Sequence, residues 1–234
     1  MRPRFNIFAA LLDLISPPRC AVCKEPSKEL ICASCREEIP FIQGATCRYC
    51  GKPTLRIVAR CRDCRGKHLY FNWAVSVWRY SGVGKDIIHA LKYENERRLA
   101  PLLAREAIKK LPPTEIFDYI TWVPLHRVKK SNRGYDQSEI IAQEIAAVGG
   151  MAAKKIVLRN RKTLEQNKLA LSQRRTNVNG AFKINGSADI NGKNILIIDD
   201  VYTTGATINE CCRAIRAGGA LRVGVLTLAR ALRE

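Results

Sequence analysis

Eight of the ten cysteines in this 234-residue chain fall into four pairs of one spacing: Cys20/Cys23, Cys32/Cys35, Cys47/Cys50 and Cys61/Cys64. Two thiolates separated by two residues converge from a tight turn on one tetrahedral ion, and two such turns complete a closed four-thiolate site of the structural zinc type. The four pairs therefore predict two structural zinc ions held by these eight residues, the alternatives being a redox dithiol, for which one pair would suffice, or an iron–sulfur cluster. Sequential pairing leaves two short ribbons, whereas interleaved pairing cross-braces them; the spacing admits both. With four sulfurs on each ion no position remains for water, so zinc catalysis is not expected. Pairs of this kind suit a reducing, cytoplasmic compartment better than a disulfide framework. Cys211 and Cys212 lie in a later helical pattern and read as buried small apolar residues.

Residues 20–67 carry hardly any periodic apolar pattern and are rich in Cys, Arg and Lys, so the metal must do what an ordinary core would. Gly51, directly after Cys50, suits the positive φ common at a zinc-binding turn. The preceding "MRPRFNIFAALLDLISPP" has two arginines and an apolar run. Asp13 interrupts the run and no small-residue cleavage site follows, so residues 5–15 predict an amphipathic helix with Phe8, Leu11, Leu12 and Ile15 on one face. No later stretch approaches the roughly 20 apolar residues of a membrane span.

From Leu69 the texture changes. "WAVSVWRY" alternates as a strand, "GVGKDIIHALKY" puts Ile87, Ile88 and Leu91 on one helical face, and "NERRLAPLLAREAIKKL" reads as a helix with Pro101 near its start. Then come "YITWV", "DQSEIIAQEIAAV", "KIVL", a polar stretch at 159–180, "NILIID", "TINECCRAIRAGGA" and "RVGVLTLA". Strands alternating with helices predict a doubly wound, mainly parallel α/β sheet. The chain divides into a module at 1–68 and a domain at 69–234.

The densest chemistry is in "NILIIDDVYTTGAT", residues 194–207. A strand ending in Asp199 and Asp200, a tight loop and a helix from about Thr207 place this stretch at the carboxyl edge of the sheet, where such folds bind ligands. Amides of residues 203–207 facing one point at a helix N-terminus, with Gly205 permitting close approach, make a phosphate cradle. The loop lacks the lysine of a Walker motif, which argues against a nucleoside triphosphatase. The carboxylates would repel a phosphate but would accept hydrogen bonds from vicinal hydroxyls of a sugar whose phosphate sits in the loop.

A formal charge of +19 exceeds what solubility requires and points to a polyanionic partner. Arg48, Lys52, Arg56, Arg60, Arg62 and Arg65 either contact nucleic-acid phosphates or offset the charge of the zinc–thiolate centres. Tyr49, Tyr70, Phe71, Trp73 and Trp78 are candidate base-stacking platforms, with core packing the alternative.

The thirteen residues "ILIIDDVYTTGAT" resemble the phosphoribosyl-pyrophosphate (PRPP) motif of type I phosphoribosyltransferases. That resemblance implies that Asp199 and Asp200 hold the ribose hydroxyls, that Thr203, Thr204, Gly205, Ala206 and Thr207 hold the 5′-phosphate, and that Val201 is a further PRPP-binding position. "LLDLISPPRCAVC", "LKYENERRLAPLLA", "VPLHRVKKSNRGYDQSEIIA" and "LEQNKLALSQRRTNVNGAF" extend it. Together they are similar to the ComF family, bacterial proteins that join a double zinc ribbon to a type I phosphoribosyltransferase-like domain and are implicated in natural competence and DNA uptake. Asp136 departs from the asparagine usual there, and a carboxylate at that point would repel pyrophosphate.

The resemblance further implies Mg²⁺ bound with PRPP, a pyrophosphate loop drawn from Arg127, Lys129, Lys130 and Arg133, and a mobile flap at 159–180 bearing Arg174 and Asn177. Arg133 joins Asp199 and Asp200 as a candidate catalytic residue. No triad or convincing general base is visible, and His68, His89 and His126 are isolated. The chain ends six residues after "RVGVLTL", so a hood over the site is expected from residues 69–118 or from the zinc module. Three functions follow. One is a PRPP- and single-stranded-DNA-binding protein that aids DNA uptake, with other uptake proteins as partners. The second is a metabolic phosphoribosyltransferase acting on a small base or amine. The third is a non-catalytic PRPP sensor.

Overall fold

The computed structural model describes residues 17–160 and 180–232, apart from the side chains of Arg127 and Lys129. The helix expected at 5–15, and Arg174 and Asn177 of the expected flap, lie outside the described residues.

The strands are β1 (Trp73–Arg79), β2 (Tyr119–Trp122), β3 (Ala152–Ala153), β4 (Val157–Arg159), β5 (Phe182–Ile184), β6 (Asn194–Tyr202) and β7 (Arg222–Arg230). The helices are α1 (Ala33–Glu37), α2 (Gly82–Tyr93), α3 (Leu99–Ile108), α4 (Arg127–Arg133), α5 (Gln137–Gly149) and α6 (Ala206–Ala217). Five strands form a sheet in the order β1-β7-β6-β2-β3, and every neighbouring pair is parallel. β4 and β5 make a separate antiparallel pair.

A parallel sheet is covered on both faces, and the period of two along β6 shows how. Leu196 and Ile198 pack with Ile87, Ile88, Leu91, Leu99, Leu103, Ile141 and Ile145 from α2, α3 and α5. Ile195 and Ile197 pack with Ile208, Cys211, Cys212 and Ile215 of α6 and with Phe182. Cys211 and Cys212 are 0% exposed, as expected of small apolar residues. The chain leaves β6 toward β7 through α6 and leaves β2 toward β3 through α5, so the strand order reverses between β6 and β2. Ligands of open α/β sheets bind in the crevice outside such a reversal.

The cysteine-rich segment is knitted to this sheet. Ile42 N–H donates to Val77 at 2.9 Å and Arg79 N–H donates to Pro40 at 2.9 Å, adding a short antiparallel bridge, Phe41 to Trp78, at the free edge of β1. Gly51 adopts φ +69°, and a Cβ there would lie 2.5 Å from the Ala74 carbonyl oxygen. Glycine therefore serves both the turn and the close approach of the second ribbon to β1.

The structure departs from the expected elements at several points. β6 runs two residues beyond the acid pair, because Val201 and Tyr202 still pair with Ala229 and Arg230. α6 begins at Ala206 rather than Thr207. Residues 127–133, expected as loop, form α4, closed by Gly134 at φ 78°. Two of the five aromatic platforms are spent on packing, with Phe71 at 2% and Trp78 at 1% exposure, which removes both as stacking surfaces for bases; Tyr49, Tyr70 and Trp73 are half-buried.

Candidate functional site

The cysteines resolve into two clusters, Cys20/Cys23/Cys32/Cys35 and Cys47/Cys50/Cys61/Cys64, each with its four sulfurs within 4.8 Å of one another. Pairing is sequential. A regular tetrahedron with Zn–S near 2.3 Å needs S···S of about 3.8 Å. The Sγ atoms of Cys23 and Cys32, of Cys50 and Cys61, and of Cys61 and Cys64 are each 3.7 Å apart. Backbone N–H groups point at the sulfurs as they do at thiolates: Val22 and Cys32 donate to Cys20 Sγ at 3.4 Å, and Cys61 donates to Cys47 Sγ at 3.2 Å. These donor sets fit two structural zinc ions.

The acid pair lies at the β6/β2 reversal. Asp200 is 6% exposed. Its Oδ2 accepts from Gln137 Nε2 at 2.5 Å and meets Lys92 Nζ at 2.8 Å. Asp199 Oδ1 accepts from Ser138 Oγ at 3.1 Å and from the Asp200 amide at 3.0 Å. Burial, and next the adjacent Asp200 charge, raise the Asp199 carboxyl well above the ordinary carboxylate range, with Lys92 acting in the opposite sense. Burial alone would lower the Lys92 ammonium, yet the charge and hydrogen bond of Asp200 leave it above its usual value. Oriented acceptors held against their desolvation cost are what recognition of a diol requires.

Arg133 is drawn into the same network, donating to Gln137 Oε1 at 2.6 Å with its guanidinium 5.0 Å from the Tyr93 ring centre. Lys130 instead pairs with Glu139 at 2.6 Å. His126 caps α4, its Nδ1 accepting from Val128 N–H at 3.3 Å. Asp136 is turned inward: it caps α5 by accepting from Ser138 and Glu139 amides and clamps the Leu125 amide at 2.7 Å. Its carboxylate is engaged by backbone donors.

Thr203 is exposed, while Thr204, Ala206, Thr207 and Val201 are half-buried around buried Gly205. Gly205 has φ +76° and is the N-cap of α6 without a side-chain cap. Thr204 Oγ1 accepts from Ala206 N–H at 3.3 Å. A Cβ on Gly205 would lie 2.2 Å from the Tyr202 hydroxyl oxygen, so this residue has neither room nor backbone for a side chain. α2 brings Lys92 to the acid pair, and the second ribbon shares a cavity with Thr203 and Thr204 through Asp63, Cys64 and Lys67. Both segments expected to supply a hood therefore border the site. Lys92, Gln137 and Ser138 escape sequence reasoning, since an isolated Lys, Gln or Ser gives no signal of its partner.

Residues 11–65 match the double zinc ribbon domain and residues 104–234 match the phosphoribosyl transferase domain. Competence protein F of Haemophilus influenzae is 28% identical over 225 residues, 91% of this chain and 97% of its own length. Competence protein ComFC of Bacillus subtilis is 28% identical over 212 residues, covering 86% of this chain and 85% of its own. The chain belongs to the ComF family, with a phosphoribosyl transferase domain. DNA utilization protein YhgH of Salmonella typhimurium, 29% identical over 229 residues, covers 94% of this ComF chain and 100% of its own length. This ComF protein thus joins an N-terminal double zinc ribbon to a phosphoribosyl transferase domain built on a parallel sheet. No described helix is long and apolar enough to cross a membrane.

Proposed function

We propose that this ComF protein binds PRPP with Mg²⁺ at the end of β6 and acts as a phosphoribosyltransferase-type protein in DNA uptake. The observation that carries this reading is the placement of Asp199 and Asp200 directly before the Gly205 turn at a sheet reversal. Carboxylates fixed by Lys92, Gln137 and Ser138 accept from vicinal hydroxyls, and the N-terminus of α6 receives the 5′-phosphate. Arg133, linked to Asp200 by two hydrogen bonds through Gln137, is the candidate for steadying departing pyrophosphate as the anomeric carbon gains oxocarbenium character. Mg²⁺, when bound, supplies charge neutralisation at phosphate and hydroxyl oxygens.

Calorimetric titration of the zinc-loaded protein with PRPP and Mg²⁺ tests the site. Saturable binding that is lost in Asp199→Ala/Asp200→Ala supports it, and unchanged affinity in that double variant refutes it. Turnover of PRPP with a panel of bases and amines separates a transferase from a sensor.

Single-stranded DNA is the proposed second partner. The charge of +19 and the exposure of Arg48, Arg56, Arg60, Arg62 and Arg65 around the second zinc cluster support it. Lys52 is excepted, being paired with Asp63 at 2.8 Å. Binding of an oligothymidylate should weaken steeply with salt, and no binding at low salt would remove DNA from the proposal. The zinc module at 1–68 and the domain at 69–234 would then divide the work between DNA and PRPP in a cytoplasmic protein.

A further inference from the structure

The Gly205 turn is supported by Tyr202 and Arg230, which line the same cavity as Thr203 and Thr204 and reach the second metal cluster at Cys50. Arg230, at the end of β7, is 3% exposed. Its Nη1 donates to the Cys50 carbonyl at 2.5 Å and its Nη2 to Cys50 Sγ at 3.4 Å. The guanidinium lies 4.3 Å from the centre of the Tyr202 ring. Tyr202 is 4% exposed, and its ring and hydroxyl fill the space beside Gly205, within 2.9 Å of where a Cβ would stand. A continuous packed path thus runs from a cysteine of the second metal cluster, through Arg230 and Tyr202, to the turn at the start of α6.

A buried guanidinium needs a negative partner, and a four-thiolate zinc centre carries net negative charge. Hydrogen bonds from outer residues orient metal ligands and tune the metal's hold. Arg230 does this at Cys50 while its face presses on Tyr202. If zinc leaves and the thiolates take up protons, Arg230 loses its charge partner and keeps only the Cys50 carbonyl, which loosens its hold on the Tyr202 ring beside Gly205.

We propose that the second zinc centre sets the phosphate loop through Arg230 and Tyr202, so that zinc at Cys47/Cys50/Cys61/Cys64 and a phosphate at residues 203–207 stabilise each other. The inference rests on the reading of 203–207 as a phosphate loop. Coupling of this kind is reciprocal. The first zinc cluster serves as an internal control. Its Cys20 and Cys35 belong to the core that contains Leu91 and Ile198, whereas Tyr202 shares its core with Cys47, Cys50, Cys61 and Cys64, so the turn is braced from the second cluster's side.

Release of the two zinc ions to a chromogenic chelator, followed with and without PRPP and Mg²⁺, tests the coupling. PRPP is expected to slow one ion about fivefold or more and to leave the other unchanged. Arg230→Lys, which keeps the charge but loses the fork, should abolish that protection, and Arg230→Met should do so too if it folds. Amide hydrogen exchange at residues 203–208 gives a readout that does not depend on PRPP: it should quicken in Arg230→Lys and when the second cluster is broken by Cys64→Ser.

Equal release of both ions while calorimetry shows PRPP bound would overturn the coupling, as would exchange at 203–208 unmoved by both variants. Failure of PRPP to bind the wild type would instead refute the reading of the site, and the exchange data would still decide whether the zinc centre governs the turn.

Discussion

Lys92 Nζ lies 2.8 Å from Asp200 Oδ2, with side-chain exposures of 18% and 9%, and joins the end of α2 to the end of β6. The acid pair is thus never a bare concentration of negative charge: it comes with a cation, an amide from Gln137 and a hydroxyl from Ser138.

Removing that cation leaves a buried carboxylate uncompensated. Lys92→Met is expected to cost about 3–5 kcal/mol at neutral pH, read by chemical denaturation. The native ammonium sits above its usual range, so its contribution is complete at neutral pH and is lost only as pH rises through the folded-state value. A loss below about 0.5 kcal/mol would mean that the pair is solvated.

Asp199 behaves in the opposite way with respect to function and stability. Its carboxyl is held well above the ordinary range by burial and by Asp200, so its protonated form stabilises the fold and this contribution fades as pH rises from the unfolded-state value near 4 through the folded-state value. Asp199→Asn should therefore raise stability at neutral pH by about 1–3 kcal/mol, with the gain vanishing below about pH 4, while weakening PRPP binding. Thermal melts across pH, beside calorimetry, check both halves.

Gly205→Ala places a methyl group in a backbone region that costs about 1–2 kcal/mol and against the Tyr202 ring. The expected outcome is an intact sheet by circular dichroism, two zinc ions per chain, and PRPP affinity reduced about tenfold or more. Wild-type affinity would show that the turn does not hold the phosphate.

Because pairing of the thiolates is sequential, Cys47→Ser should leave one zinc ion per chain by metal analysis, and Cys47→Ser with Cys20→Ser should leave none. Interleaved sites would also lose one ion in the single variant, but in Cys23→Ser/Cys35→Ser, two ligands of one cluster, they would lose both. One ion is expected to remain.

Much of this was legible from side chains that are local in sequence. The eight cysteines, the apolar period of α2 and the Asp-Asp-loop-helix of β6 and α6 each carry their pattern within a few turns of chain. What stayed hidden depends on which strands become neighbours. β1 lies beside β7, and that long-range register is what brings Arg230 near Cys50; nothing in "TLAR" signals a guanidinium bound for a metal cluster. Lys92 was hidden for a similar reason, since the end of α2 meets β6 only after α2 has packed on the sheet. The extra strand residues Val201 and Tyr202 were missed because two acids resemble the start of a turn, whereas pairing with Ala229 and Arg230 prolongs the strand.

The bond from Arg230 to Cys50 spans 180 residues, and that separation sets an order of events during synthesis. The thiolates of the second cluster emerge from the ribosome early and close together, free to capture metal before any sheet exists. The guanidinium that braces them arrives after β6 and α6 have been made, because chains fold in the order they are produced. The second centre is thus loaded early and locked late. By the coupling proposed above, a misassembled chain should release its second zinc ion faster than a chain whose sheet has closed.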